Sequence, residues 1–244
     1  MSIWRASWSL EARRRKGATI LAILMVSVSG STEAALALER QEPSEEEEQR
    51  DRNAQFFADA AKRAFDAGHF AEAAATYSRV LRFKPGDARV YFNRGNAYRK
   101  EGDIARALQD YNDALVRDPA LLVALINRAA IYVNSGQFDD ALSDYSRAIA
   151  IKPEDANAYV RRGIVYMRLN QVVKGVEDFS AALERDPSSA SALSERGYAY
   201  LKLGQTGQAL TDFQRVLLVQ PSNQRAIEGI AKIRWSIFPF RSSQ

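Results

Sequence analysis

Residues 88–121 read ARVYFNRGNAYRKEGDIARALQDYNDALVRDPAL, and residues 122–155 read LVALINRAAIYVNSGQFDDALSDYSRAIAIKPED. Aligned end to end, these two 34-residue stretches share Arg94/Arg128, Gly102/Gly136, Asp110/Asp144, Tyr111/Tyr145 and Pro119/Pro153. The register extends in both directions, because Pro85, Pro119, Pro153, Pro187 and Pro221 stand 34 residues apart. Proline lacks an amide hydrogen and clashes with the preceding turn, so each one stops a helix at the same point of a unit. A fixed period in the range of about 20–50 residues is the signature of a stacked repeat array. The copies are 54–87, 88–121, 122–155, 156–189 and 190–223.

Small residues recur at position 8 (Ala61, Gly95, Ala129, Gly163, Gly197), position 20 (Ala73, Ala107, Ala141, Gly175, Ala209) and position 27 (Val80, Ala114, Ala148, Ala182, Val216). These are places where two helices approach closely. Large residues recur beside them, notably Tyr77, Tyr111, Tyr145, Phe179 and Phe213 at position 24. Spacings of three, four and seven put each set on one helix face. Position 15 is Gly68, Gly102, Gly136, Asn170 and Gly204, residue types that accept the left-handed conformation ending a helix.

Small residues at 8, 20 and 27, aromatics at 11 and 24, and proline at 32 together resemble the tetratricopeptide repeat (TPR) family over residues 54–223. Repeat 4 departs most, with Asn170, Val172 and Gly175. The resemblance implies an all-α, right-handed solenoid of antiparallel helix pairs, with a concave groove lined by the first helix of each pair. It also implies a protein-binding scaffold. A further helix over 224–236 continues the pattern through Ile227 and Ala231 and caps the stack; a tail over 237–244 follows, in which Pro239 argues against more helix.

Residues 1–37 read as a secretory signal: Arg13 to Lys16 form a basic block, an apolar run covers about 18–28, and Ala35-Leu36-Ala37 is a small-x-small cleavage site. The apolar run is shorter than the roughly 20 residues of a membrane span. The expected location is the bacterial periplasm, with no membrane span after processing; the alternative is an uncleaved signal anchor. The chain has no cysteine, which excludes a disulfide framework and a lipoprotein anchor. Residues 38–53 form an acidic linker, in which Ser44 and Glu47 make a capping box that starts the first helix.

The whole chain carries 34 basic and 30 acidic residues. Removing the five basic and two acidic residues of 1–37 leaves 29 against 28, a balance that does not favour a nucleic-acid partner. The residues also supply no catalytic constellation. The only histidine, His69, falls at a turn, and without cysteine no transition-metal site or cofactor is implied. The glycines occupy repeat positions rather than a phosphate loop.

One charged pattern is regular. Position 7 is Arg94, Arg128, Arg162 and Arg196; position 23 is Asp110, Asp144, Asp178 and Asp212; repeat 1 lacks both, with Ala60 and Thr76. Only pairing within each repeat leaves no member orphaned. The pattern therefore predicts a structural ladder of four arginine–aspartate pairs.

By the geometry that the resemblance implies, the groove carries positions 2, 5, 6, 9, 12 and 13. Those positions hold seven cations against three anions, together with several asparagines. Guanidinium groups suit carboxylates, and asparagine offers both a donor and an acceptor to a peptide backbone. The candidate site is Arg89, Asn93, Asn96, Asn127, Asn157 and Arg161, converging across repeats 2 to 4. Some family members clamp C-terminal carboxylates with lysine and asparagine at related positions. Here Asn96, Asn127 and Arg161 match that motif, while Phe92 and Asn157 stand where it has lysine. The expected partner is a protein or peptide, acidic or with a free C-terminal carboxylate. The alternative reading is an assembly module that oligomerises through the solenoid ends.

Overall fold

The computed structural model describes residues 44–237. The signal segment, its cleavage site, most of the acidic linker and the tail from 238 lie outside the described residues. The chain divides into two units, 1–52 and 53–244. Of the first, residues 44–52 are described, and they open helix α1 (Glu45–Asp66). Ser44 and Glu47 form the capping box there: the Ser44 amide donates to Glu47 Oε2 at 2.9 Å, and the Glu47 amide donates to Ser44 Oγ at 3.2 Å.

The second unit is helical throughout its described residues. It continues α1 and adds α2 (Phe70–Phe83), α3 (Ala88–Glu101), α4 (Ile104–Arg117), α5 (Leu122–Asn134) and α6 (Phe138–Ile151). Then follow α7 (Ala156–Arg168), α8 (Val172–Arg185), α9 (Ala190–Lys202), α10 (Thr206–Val219) and α11 (Gln224–Ile237). Each helix packs mainly on its neighbours in sequence, as a linear stack requires.

Local chemistry fixes the ends of these helices. Asp87, Asp155 and Ser189 cap α3, α7 and α9 by accepting amide hydrogen bonds in the first turn; Leu121, before α5, has no side chain to do so. Every first helix ends in the same way. The position 16 amide donates to the position 11 carbonyl at 2.8–2.9 Å, with position 15 left-handed between them. Asn170 takes that place in repeat 4 with φ 58°. This is the Schellman arrangement, which satisfies carbonyls that would otherwise be orphaned. The second helices stop two residues before each proline.

The core runs along the stack between the helix pairs. Ala61, Ala73, Ala107, Ala129, Ala141 and Ala209 are fully buried, as are Tyr111, Phe179 and Phe213. The pairing of small position 8 with aromatic position 24 is steric: a Cβ on Gly163 would lie 2.7 Å from Phe179 Cε1, and one on Gly197 2.7 Å from Phe213 Cε1.

Two sets of arginines tie the repeats together. Arg94, Arg128, Arg162 and Arg196 each bind the aspartate of their own repeat through Nε and Nη2, at 2.6–2.9 Å. These aspartates are buried, and bonding to them raises the already high arginine pKa values. The third arm, Nη1, reaches the preceding repeat, where it donates to Ser78, Asn112, Ser146 or Ser180 at 2.6–3.1 Å. The pairs are therefore also rivets between repeats, which the spacing of charges alone did not reveal.

The second set holds the proline carbonyls. Arg117 and Arg185 donate to Pro85 and Pro153, while Arg147 and Arg215 donate to Pro119 and Pro187. The source alternates. Where position 4 is Tyr91 or Tyr159, the arginine comes from position 30 and stacks on that ring, 4.0 or 4.1 Å from the centroid. Where position 4 is Leu125 or Leu193, it comes from position 26. A 68-residue alternation is thus nested within the 34-residue period.

Candidate functional site

The groove positions lie on the first helices α3, α5, α7 and α9. Asn96, in the third turn of α3, is the centre of a small network. Its Oδ1 accepts from the Tyr111 hydroxyl at 2.7 Å and from Asn127 Nδ2 at 2.8 Å. Position 6 of one repeat thereby meets position 9 of the one before. Burial raises the Tyr111 pKa, and the nearby Arg99 guanidinium and Asn127 amide only partly oppose it, so the hydroxyl stays a donor at neutral pH. Within this network the two asparagines keep both N–H donors of Asn96, the second N–H of Asn127 and the Asn127 carbonyl acceptor.

One repeat further along, Arg161 of α7 lies beside the Tyr145 hydroxyl. Burial raises this tyrosine's pKa too, against the pull of Arg161. Arg161, Asn134 and Tyr145 border a recess between α5 and α7. Arg89 and Asn157 sit in the first turns of α3 and α7, where their backbone amides donate to Asp87 and Asp155. No hydrogen bond among the described residues joins the side chains of Arg89, Asn93 or Asn157 to the Asn96–Asn127 pair. The structure therefore links Asn96 with Asn127, sets Arg161 at the neighbouring recess, and leaves the other three as separate surface positions.

The charge of this face is one-sided. Arg89, Arg99, Lys100, Arg161, Arg168 and Lys202 are exposed, and none has an acidic partner within 4 Å among the described residues. The acids of the same helix positions are largely occupied. Asp66 pairs with Lys62 at 2.6 Å, and Glu195 pairs with Arg225 of α11 at 2.6 Å. His69 is exposed beside Glu72 at the first interhelix turn. Among the described residues no helix is long and apolar enough to cross a membrane.

Two contributors escaped the sequence reading. Tyr111 and Tyr145 belong to the core position 24 and are buried, but their hydroxyls reach residues at groove positions, Tyr111 bonding Asn96 and Tyr145 lying beside Arg161. The signal was present: position 24 is tyrosine in repeats 1 to 3 and phenylalanine in repeats 4 and 5, and a buried tyrosine hydroxyl needs a partner.

Comparison with known proteins agrees with this geometry. Models described as tetratricopeptide repeat match residues 58–121 and 179–211, and one described as TPR repeat matches 129–170. The chain is a tetratricopeptide repeat protein, and its fold is an all-α solenoid of that type. None of the three models covers 171–178, where Val172 and Gly175 depart from the commoner pattern. Among solved structures it is similar to MamA from Desulfovibrio magneticus RS-1, at 23% identity and a TM-score of 0.65, over 70% of this chain and 97% of that one. It is also similar to a tetratricopeptide repeat protein from Parabacteroides merdae, at 23% identity and a TM-score of 0.69, over 76% and 74%. A third is YrrB, described as a TPR protein with an unusual peptide-binding site, at 21% identity and a TM-score of 0.64, over 75% and 95%. No curated protein sequence matches.

Proposed function

We propose that this protein is a non-catalytic scaffold of the bacterial cell envelope that holds a segment of a partner protein along the groove of its first helices. The observation that carries this reading is the Asn96–Asn127 pair, with amide donors and a carbonyl acceptor outside its own network, amid unpaired cations. A peptide bond offers the complementary carbonyl and amide, and the surrounding guanidinium and ammonium groups favour acidic residues. The family is one of protein-interaction modules, and YrrB is itself described as having a peptide-binding site. The envelope location rests on the signal-like segment before residue 38. N-terminal analysis of the exported protein tests it: a chain starting at Leu38 supports processing, and an intact Met1 supports the anchor.

The groove is tested by crosslinking in native envelope extracts followed by mass spectrometry. The double substitution Asn127→Ala with Arg161→Ala should abolish capture of the identified partner while leaving the helical melt nearly unchanged. Added salt should weaken the same capture, because the cations are exposed and screened. Retained capture by the double variant would move the site off this face and favour assembly through the solenoid ends.

A further inference from the structure

Each repeat turns from its first helix to its second at the same edge of the stack, so the inner turns form a row. Charge is divided along that row. Over 65–74, 99–108 and 133–142, the turns of repeats 1 to 3 carry Asp66, Glu72, Glu101, Asp103, Asp139 and Asp140 against three cations. Over 167–176 and 201–210, the turns of repeats 4 and 5 carry Arg168, Lys174 and Lys202 and no acid. Arg234, in the last turn of α11, continues this second half. All four cations are exposed, and none has an acidic partner within 4 Å among the described residues.

Aliphatic side chains stand among these cations. Val173 is 60% exposed and Leu203 39%, while their neighbours Val172 and Leu201 pack against the core. Position 18 is Ala71, Ala105, Asp139 and Gly207 in the other repeats, so the fold does not ask for valine there. The chain also leaves the stack at this edge. α11 follows an outer turn, as the other first helices do, and ends at Ile237. The sequence after it holds Phe238, Phe240 and Arg241 and no acid.

Cations mixed with aliphatic groups match a surface that offers phosphates above hydrocarbon. Val173 and Leu203 stand on separate turns. Each can enter a fluid interface, whereas a protein interface is organised around anchors clustered at its centre. We infer that the inner edge of repeats 4 and 5 binds the surface of an anionic phospholipid bilayer. Arg168, Lys174, Lys202 and Arg234 meet the headgroup phosphates, and Val173 and Leu203 enter the interface beneath them. Long cationic side chains suit this, since their stems lie in apolar surroundings while their heads stay with the phosphates. The contact holds the stack beside a membrane without a span, and it does not depend on the groove reading.

The chain has no cysteine, so single-cysteine variants each take one label. Val173→Cys and Ala105→Cys, exposed at the same position of repeats 4 and 2, are labelled with a polarity-sensitive fluorophore in the full chain. Each is titrated with vesicles of phosphatidylcholine, with and without phosphatidylglycerol. The label at 173 should brighten and shift to the blue with phosphatidylglycerol vesicles alone, and the label at 105 should stay unchanged. Adding Arg168→Gln, Lys174→Gln and Lys202→Gln together should weaken that binding about a hundredfold, at about fivefold for each cation. The helical melt of this variant should match the parent's, because all three residues are exposed. Added salt should weaken the binding as well. Equal responses from the two labels overturn the inference, since they place the vesicle contact elsewhere, as binding through residues 1–37 alone would. A response that ignores phosphatidylglycerol, or one kept within twofold by the triple variant, overturns it too. So does a label at 173 that is silent to vesicles; if it responds instead to poly-glutamate, the edge belongs to an acidic protein.

Discussion

Replacing Arg162 by methionine tests how the stack is held. Asp178 is 5% exposed, and Arg162 is the only guanidinium within 4 Å of it among the described residues. The substitution leaves a buried carboxylate without compensation, which typically costs about 3–5 kcal/mol. It also frees the Ser146 hydroxyl of the preceding repeat. Arg128→Met should cost less, because Asp144 keeps Arg147 at 4.0 Å. Opposite unit charges at that distance attract by about 1 kcal/mol in water and about 4 kcal/mol at an effective dielectric constant of 20. Arg147 is 44% exposed, so the difference between the two variants should sit near the lower figure. With a urea slope of about 2 kcal/mol/M, Arg162→Met should lower the unfolding midpoint by roughly 1.5–2.5 M. Circular dichroism at 222 nm reads this, and hydrogen exchange in α7 and α8 shows whether the loss is local. The double variant Arg162→Met with Asp178→Leu should recover most of it, since no charge is then buried alone. The reasoning is refuted if Arg162→Met is no worse than Arg168→Met, a change at an exposed unpaired arginine, or if the double variant is worse than the single one.

Three further outcomes follow from backbone and core geometry. Asn170→Gly should be neutral or slightly stabilising, and Asn170→Val should lower stability by about 1–2 kcal/mol, because φ 58° suits a β-branched residue poorly; equal melting temperatures would contradict this. Gly197→Ala should cost about 1–3 kcal/mol by forcing Phe213 aside, whereas Gly207→Ala, with nothing within 4 Å, should raise stability by about 0.5–1 kcal/mol; thermal melts separate the two. Burial raises the pKa of Tyr111 and Tyr145 in the folded state, so their contribution is intact below the ordinary value of 10.0 and is lost as pH rises beyond it. Absorbance at 295 nm should then show these rings ionising together with loss of helical signal, and ionisation with full helicity retained would oppose the assignment.

The fold was legible because period and steric type act together: a proline every 34 residues, small residues facing aromatics, and a left-handed residue at each inner turn. Those demands are local and repeat in every copy. The Arg–Asp partnership within each repeat was also readable, since repeat 1 lacks both members at once. What escaped was the rest of each guanidinium. An arginine has five donors, and counting carboxylates accounts for only part of them. Ser78, Asn112, Ser146 and Ser180 at position 25 were visible in the sequence but carry no charge to draw attention. The site was harder to read. Asn96 and Asn127 are joined because positions 9 and 6 of consecutive repeats adjoin, whereas Arg89 and Asn157 occupy the first turns of their helices. The recess between α5 and α7 is lined by Ala130, the smallest residue at position 9 in repeats 2 to 5, and a family pattern says nothing about its size.

The arginine contacts between repeats all point the same way. In each, the guanidinium belongs to the later repeat and the acceptor to the earlier one, whether that acceptor is a hydroxyl, an asparagine amide or a proline carbonyl. A chain is made from its N-terminus, and its units fold in that order. Each acceptor is a neutral group that water can satisfy until the next repeat emerges. The groups that could not wait, the buried aspartates, are matched by arginines made sixteen residues earlier in the same repeat. Growth from one repeat to the next therefore leaves none of these buried aspartates waiting for its partner; only at the end of the stack does a carboxylate, Glu195, wait for an arginine of the following helix, Arg225. Each new repeat arrives carrying its own fastening, so a chain of this kind can be lengthened at its C-terminal end without altering what precedes it.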